Sequence, residues 1–420
     1  VKATKRRETK STKRIVIVEP ISSGLMLIDE AKSMGIEVIV ASFDCQDRCL
    51  EQAFRERVDG LIVVDTNDET ALMEAIVKLA YRVRVDAVLP GFEYFVPAVS
   101  RVNAKLQLPG LPLESVDAVR IKSLMRERLK AHGVRVPAYA TAASLPELES
   151  AALNIGFPAV LKPLDSAGSV HVSRVDSMEE LRKAFAALRA ETRTDLSRKL
   201  SNQVQLEAYI DGPEFSVEGF VVNGIPQIVS ITEKLLGSEP HFVELGHIVG
   251  SALPQETEKS IQNYVFEVVV ALGVIMGPFH CEIRLGHEGP VTIELAARLP
   301  GDLICELISL TRGVSLPRAM IDAYLGQASS AVDIALPVDN FAGIHFFTAP
   351  ELTYYTEVAG LEKIENLPGF VKYGLTIQPK EHIPPLTDFR GRLGFTIFTA
   401  PTYEEIRDRL TTAAHLITFT

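Results

Sequence analysis

Long apolar runs are missing from this 420-residue chain. None approaches the roughly 18 residues that cross a bilayer, so the sequence reads as a soluble protein with no membrane partner. Positive charge is also short. The formal net charge is -11, which argues against general affinity for nucleic acid. Cysteine is sparse, at Cys45, Cys49, Cys281 and Cys305. Cys45 and Cys49 have no second pair to complete a metal site, and so few thiols without a secretion signal suit a reducing cytoplasm. There is no GxGxxG fingerprint, since Ser22-Ser23-Gly24 reads as a simple strand-to-helix turn. The Walker sequence is absent as well, so a nicotinamide fold and a P-loop fold both lack support. The histidines other than His247 show no metal-ligand spacing, no Ser-His-Asp order stands out, and no internal repeat is visible.

Hydrophobic residues make up 47% of the chain, ample for a sizeable core. At about 150 residues per domain the length suggests two to four domains. Residues 1–14 hold a basic run, Lys2 to Arg14, with no apolar segment behind it as a signal peptide would need. They read as a disordered, solvated tail. From Ile15 to Leu89, four short apolar runs alternate with segments of helical spacing. That alternation predicts an open parallel α/β sheet over 15–115, with ligands at the carboxyl ends of its strands. Asp117 to His132 has the spacing of one amphipathic helix closed by Gly133. It opens a small lobe over 116–204, in which 158–175 reads as a hairpin. A larger lobe follows over 205–330, with antiparallel strands near 205–210, 214–222 and 227–233 and a hairpin over 277–296. Residues 331–420 read as a C-terminal α+β subdomain. The fold class is therefore α/β and α+β, multidomain.

Several residues carry chemistry. Lys162 lies on the apolar run Ala159-Val160-Leu161-Lys162-Pro163, where its charge needs a partner or a route to solvent. Three residues on, Asp165-Ser166-Ala167-Gly168-Ser169 offers small side chains and approachable backbone N–H groups, as a loop over a polyphosphate requires. Turns use the same residues. Glu282 and Glu294 each sit in an apolar, strand-like run, with the turn Gly286-His287-Glu288-Gly289 between them. A hairpin would bring the carboxylates together, and Mg²⁺ bound by one or two carboxylates plus phosphate oxygens is the usual remedy for their repulsion. Arg298 follows four residues after Glu294, suitably placed to stabilise a phosphoryl group in transfer. Residues 242–249 are too mixed for a clean strand, so Gly246 and His247 read as chosen for a pocket wall.

In this order, Lys122, Lys162, the 165–169 loop, Glu207, Glu214, Glu282, Glu294 and Arg298 resemble the ATP-grasp superfamily of carboxylate–amine ligases. The resemblance covers about 15 to 330, and more loosely the tail. The stretch Glu239-Pro240-His241-Phe242-Val243-Glu244-Leu245-Gly246-His247-Ile248-Val249 makes it nearest the L-amino-acid ligases of bacilysin and dapdiamide type. It implies an ATP-grasp fold with a two-lobed nucleotide site. Lys122 and Lys162 would contact ATP phosphates, and Asp165, Ser166, Ala167, Gly168 and Ser169 would form the flexible loop. Glu207, Ala208 and Tyr209 would be the hinge beside adenine, with backbone groups reading the base, and Glu214 would hold the ribose. Glu282 and Glu294 would bind one or two Mg²⁺ ions, with Mn²⁺ as a substitute. Arg298 and Lys162 would be catalytic, and Glu244, His247, Arg298, Gly301 and Asp302 would border the amino-acid substrate.

The implied reaction activates a carboxylate as an acyl phosphate and couples it to the amino group of an L-amino acid, in an antibiotic-type biosynthetic setting. A homodimer is the common assembly among similar enzymes. Two departures stand out. Ala296 occupies a position where many members have Asn, which leaves a third metal ligand open, and His171 replaces a Gly before Val172. Two alternatives stay open. One is a biotin-carboxylase-like or purine-pathway ATP-grasp enzyme, against which residues 239–249 argue. The other is a nucleotide-binding protein without catalysis, which Ala296 motivates and the joint presence of Glu282, Glu294 and Arg298 opposes.

Overall fold

A computed structural model describes residues 12–166, 168–190, 196–198, 201–327 and 340–420. Most of the basic tail, Ala167 of the loop and parts of the polar stretch 191–203 lie outside these residues. The chain begins with the parallel sheet that the alternation predicts. Its strands are β1 (Arg14–Val18), β2 (Glu37–Ser42), β3 (Gly60–Val63) and β4 (Ala87–Pro90), in the order β3-β2-β1-β4. β1, β2 and β4 are apolar almost throughout because helices cover both faces, and Ile15 to Val18 are fully buried. At the carboxyl ends two loops meet without room for a side chain. A Cβ on Gly24 would lie 1.8 Å from the Gly91 carbonyl oxygen. These ends point toward the rest of the molecule.

The single helix expected over 117–132 is broken. Residues 117–120 form turns, Ile121 is extended, and the helix runs Lys122–Ala131. The break serves tertiary contacts. The Arg120 guanidinium reaches Glu93 and the Asp165 carbonyl, and the Lys122 N–H reaches the Leu164 carbonyl. A continuous helix would carry these groups away from the cleft. The small lobe is an antiparallel sheet of β5 (Tyr139–Ala142), β6 (Ala159–Pro163), β7 (Ser173–Val175) and β8 (Val204–Ala208), ordered β5-β8-β6-β7. Helices Leu145–Ile155 and Met178–Ala190 pack on it through Leu148, Leu161, Leu181 and Leu206. β6 and β7 are the expected hairpin. β8 pairs with β5 and β6 rather than with the strands that follow it.

Those later strands build one antiparallel sheet. They are β9 (Glu214–Val222), β10 (Ile225–Leu236), β11 (Glu244–Val249), β12 (Gly277–Gly286), β13 (Gly289–Ala296) and β14 (Phe341–Phe347). After the short β15 (Val358–Ala359) come β16 (Phe370–Leu375) and β17 (Gly394–Ala400), and β18 (Thr418–Phe419) pairs with β15. The order β13-β12-β9-β10-β11-β14-β17-β16 means the C-terminal strands extend the sheet begun at β9. Helix Gln255–Leu272 packs on β10 and β13, helix Ile304–Arg312 on β11 and β14, and helix Leu316–Tyr324 on β9 and β12. Among the described residues no helix is long and apolar enough to cross a membrane.

β11 corrects the reading of 242–249 as too mixed for a strand. Gly246 belongs to the sheet and not to a pocket wall, since its Cβ would lie 2.4 Å from the Ile344 carbonyl oxygen of β14. Gly246→Ala should therefore push β11 and β14 apart and cost about 1–3 kcal/mol, as overpacking does. Chemical denaturation would show this as a lower midpoint, and an unchanged midpoint would contradict the close approach.

Candidate functional site

The carboxyl ends of the parallel sheet, the small lobe and the inner face of the eight-stranded sheet converge on a cavity of ≈ 370 Å³. Two lysines enter it from the small-lobe side. Lys162, on β6, is 3% exposed, so it does not snorkel to solvent. Its ammonium meets the Glu207 carboxylate on β8 at 2.5 Å. Burial, with the nearby Arg126 and Lys122 charges, lowers the Lys162 pKa to about 8, against the pull of Glu207. Burial opposes the Glu207 charge too, but Arg126 at 2.8 Å and Lys162 together hold its carboxyl down to about 2. Glu207 is thus a structural anchor for Lys162. Lys122 starts its helix beside them and donates to the Ser166 carbonyl at 2.9 Å and to Glu294 at 3.1 Å.

The hairpin places the late carboxylates as its turn predicts. Glu282 on β12 and Glu294 on β13 are direct cross-strand partners, with a register shift just beyond them. Both line the cavity. Glu282 also receives His280 Nε2 at 3.2 Å, while His280 Nδ1 meets Glu218 at 2.9 Å. Burial works against a charged imidazole, yet hydrogen bonds to the two carboxylates hold the His280 pKa up at about 9. Arg298, just past β13, is braced by Glu93 at 2.9 Å, and Arg120 reaches the same carboxylate at 3.4 Å. Glu93 follows β4, so the N-terminal sheet sets the position of Arg298.

One buried ammonium ties the floor together. Lys234 on β10 lies 2.5 Å from Glu244, 2.9 Å from Glu282 and 3.1 Å from Glu214. Burial disfavours its charge, but the three carboxylates raise its pKa well above the usual lysine value. Arg284 adds a 3.0 Å contact to Glu214. Beyond Glu244, His247 Nε2 lies 3.0 Å from Asp302, and Arg392 grips Asp302 with two bonds of 2.8 and 2.7 Å. The Arg392 guanidinium also lies 3.8 Å over the Phe346 ring. Donor atoms of Glu244, His247 and Asp302 are within 4.8 Å of one another, near enough to surround a metal ion. Arg392 pairs with Asp302, whereas Glu244 shares the Lys234 ammonium with Glu282 and Glu214.

The expected residues mostly meet here. Lys122, Lys162, Ser166, Gly168, Ser169, Glu207, Ala208, Tyr209, Glu214, Glu244, His247, Glu282, Glu294, Arg298, Gly301 and Asp302 all line the cavity. Ala167 lies outside the described residues. Asp165 does not line the cavity. It accepts the Ser201 N–H at 3.0 Å and so anchors the base of its loop. The backbone N–H groups of Ala208 and Tyr209 are committed to the Ala138 and Pro158 carbonyls, and the neighbouring Ile210 also lines the cavity. The Tyr209 ring stacks with Phe242 at 6.5 Å, and its hydroxyl donates to Glu239. The sequence reading missed Glu93, Lys234, His280, Arg284, Phe389 and Arg392. For His280 and Arg284 a signal was present, because in β12 they alternate with buried Phe279, Cys281 and Ile283 and so share the face of Glu282.

Three family models match parts of the chain. Residues 28–110 match the model of an ATP-grasp N-terminal domain, 155–306 that of an ATP-grasp domain, and 345–420 that of the L-amino acid ligase C-terminal domain 2. An uncharacterized protein of Sinorhizobium fredii, y4rH, is 27% identical over 403 residues, covering 93% of this chain and 80% of that one. Dapdiamide A synthase of Enterobacter agglomerans is 28% identical over 331 residues, covering 75% and 74%. The crystal structure of an L-amino acid ligase from Bacillus licheniformis superposes with a TM-score of 0.84 at 24% identity, covering 98% of this chain and 99% of that one.

Lys234→Met should remove the buried ammonium that Glu214, Glu244 and Glu282 share, leaving three carboxylates competing for too few cations. Removing one member of such a buried set typically costs about 3–5 kcal/mol. Calorimetry should find a markedly lower melting temperature, and an unchanged one would mean that the carboxylates do not depend on Lys234.

Proposed function

We infer this chain's chemistry from the superfamily to which it belongs: it is an ATP-grasp ligase, similar to the L-amino-acid ligases, that couples ATP cleavage to formation of a C–N bond between a carboxylate and an amine. We propose that the amine is that of an L-amino acid and that the product is a dipeptide or related amide. One observation carries the assignment of roles. Glu282 and Glu294 face one another across a hairpin, within a cavity that also holds Lys122, Lys162 and Arg298.

A carboxylate does not react with an amine at neutral pH, because its oxyanion is a poor leaving group. In the proposed reaction its oxygen attacks the γ-phosphorus of ATP, the bond to the β-bridging oxygen breaks, and ADP leaves an acyl phosphate behind. The amine then attacks the carbonyl carbon. The tetrahedral adduct loses a proton and collapses, expelling inorganic phosphate. Lys122 and Lys162 bear on the phosphate oxygens, which favour the charged lysine that burial alone opposes. Arg298, fixed by Glu93, faces the phosphoryl group in transfer and spreads its charge. Ser166, Gly168 and Ser169 line the cavity as a backbone cradle.

The donor set suits a hard divalent cation. Glu282 and Glu294 keep 24% and 19% of their side-chain surface open, and their oxygens are the ligand type that Mg²⁺ prefers. Ala296, buried and apolar beside them, supplies no third donor. When bound there, Mg²⁺ would neutralise charge on the transferring phosphate. Glu244, His247 and Asp302 form an acidic rim suited to the ammonium group of an amino acid. The raised pKa of Glu244, from burial and from the Asp302 and Glu282 charges, marks a carboxylate short of positive charge.

The test is a survey of Mg-ATP with pairs of amino acids and acyl-modified diamino acids, read by phosphate release and mass spectrometry. A productive pair should yield ADP, phosphate and amide in equal amounts, each dependent on both substrates, and Glu294→Gln should reduce turnover by at least 100-fold on the order expected for a lost transition-state interaction. Phosphate release without amide from any pair would sink the proposal, and full ATP turnover in Glu294→Gln would sink the metal assignment.

A further inference from the structure

The phosphate loop has a second wall that comes from the far end of the chain. Gly168 sits at φ +66°, in the left-handed region, and a Cβ built on it would lie 2.8 Å from the ring of Phe389. The glycine is therefore doubly required, once for its backbone and once for the aromatic ring against it. On its inner side the loop is tied by Lys122 to the Ser166 carbonyl and by Arg120 to the Asp165 carbonyl. Phe389 meets it at Gly168.

Phe389 stands on a stiff support. It opens a short 3₁₀ turn, Phe389–Gly391, whose N-cap is Asp388. The Asp388 carboxylate, itself buried, accepts the Arg390 N–H at 3.0 Å and the Arg390 guanidinium at 2.8 and 2.6 Å. The turn runs directly into Leu393, fully buried and bonded to the Phe347 carbonyl at 2.8 Å, and then into β17 of the large sheet. Between them Arg392 holds Asp302 at the substrate end of the cavity. The four residues Phe389–Arg392 thus touch the loop over the phosphates with one side chain and the substrate rim with another. Phe389 is nevertheless 42% exposed and lines the cavity. A large apolar ring left so open at a cavity mouth contributes little to the core.

We propose that Phe389 is a positioning residue that holds the glycine loop down across the cleft between the lobes, and so keeps water from the acyl phosphate. The inference rests on the ligase reading above and extends it, because the shielding acts on that intermediate. Without the ring the loop loses its contact at Gly168, nucleotide is held less tightly, and water competes with the amine for the acyl carbon. Hydrolysis then returns the free carboxylate and phosphate, with ATP consumed and no C–N bond formed.

The experiment compares wild type, Phe389→Ala and Phe389→Tyr for Mg-ATP affinity, for KM and kcat, and for phosphate released per amide formed. Phe389→Ala should raise the KM for ATP several-fold and lift the phosphate-to-amide ratio from near one to two or more, with an unchanged melting temperature. Phe389→Tyr keeps the ring and should restore both. If Phe389→Ala shows wild-type nucleotide affinity and a ratio near one, the proposal is overturned. It is equally overturned if both variants lose stability and activity in parallel, since that marks a merely structural side chain. Should wild type form no amide with any pair, the ligase reading fails, while nucleotide affinity alone still decides whether Phe389 holds the loop.

Discussion

The floor of the site depends on one buried ammonium. Lys234 draws together carboxylates from three strands, Glu214 of β9, Glu244 of β11 and Glu282 of β12. Its charge is shared unequally. Glu214 has Arg284 as a second cation, and Glu282 has His280. Glu244 has His247 at 3.7 Å in addition. The consequence is visible in their acidities. Burial opposes the charge of each, yet Lys234 and His280 hold Glu282 well below the usual carboxylate range, whereas Glu244 is pushed above it. A single strand lysine therefore produces two kinds of carboxylate in one cavity. One stays ionised opposite Glu294, and the other lies beside His247 and Asp302 with its charge disfavoured.

The remaining parts of the site arrive from every layer of the fold. The parallel sheet sends Glu93 to brace Arg298, the small lobe sends Lys162, and the C-terminal extension of the large sheet sends Arg392 and Phe389. No one unit contains the machinery. Residues from all of these units line one cavity, an arrangement suited to chemistry that must exclude water.

Much of this was legible in the sequence, and the reason is local. Continuous apolar runs separated by turn residues revealed the parallel sheet, and the hairpin around Gly286–Gly289 made Glu282 and Glu294 cross-strand partners. The misses are non-local. In Ile231-Thr232-Glu233-Lys234, adjacent charges must face opposite sides of β10, and nothing in the order says which one is buried. Structure puts Lys234 inside and Glu233 toward Tyr403 and Arg407. Arg392 finds Asp302 across ninety positions of chain, a pairing no spacing rule reaches. The helix over 117–132 failed for a related reason. Its periodicity was sound, but contacts from Arg120 and Lys122 to the Asp165 and Ser166 carbonyls outweigh the gain from continuing one turn. Gly246 was misread because a glycine beside a histidine fits a pocket as readily as a close strand pair.

The central claim is that the carboxylate passes through an acyl phosphate. The measurement that meets it most directly uses a carboxylate substrate labelled with ¹⁸O in both oxygens, turned over with Mg-ATP and amine, with mass analysis of the phosphate released. Transfer of one labelled oxygen into phosphate for every amide formed is the predicted result, because the bond broken in the second step is the one between carbonyl carbon and that oxygen. Amide formation with unlabelled phosphate would contradict the account.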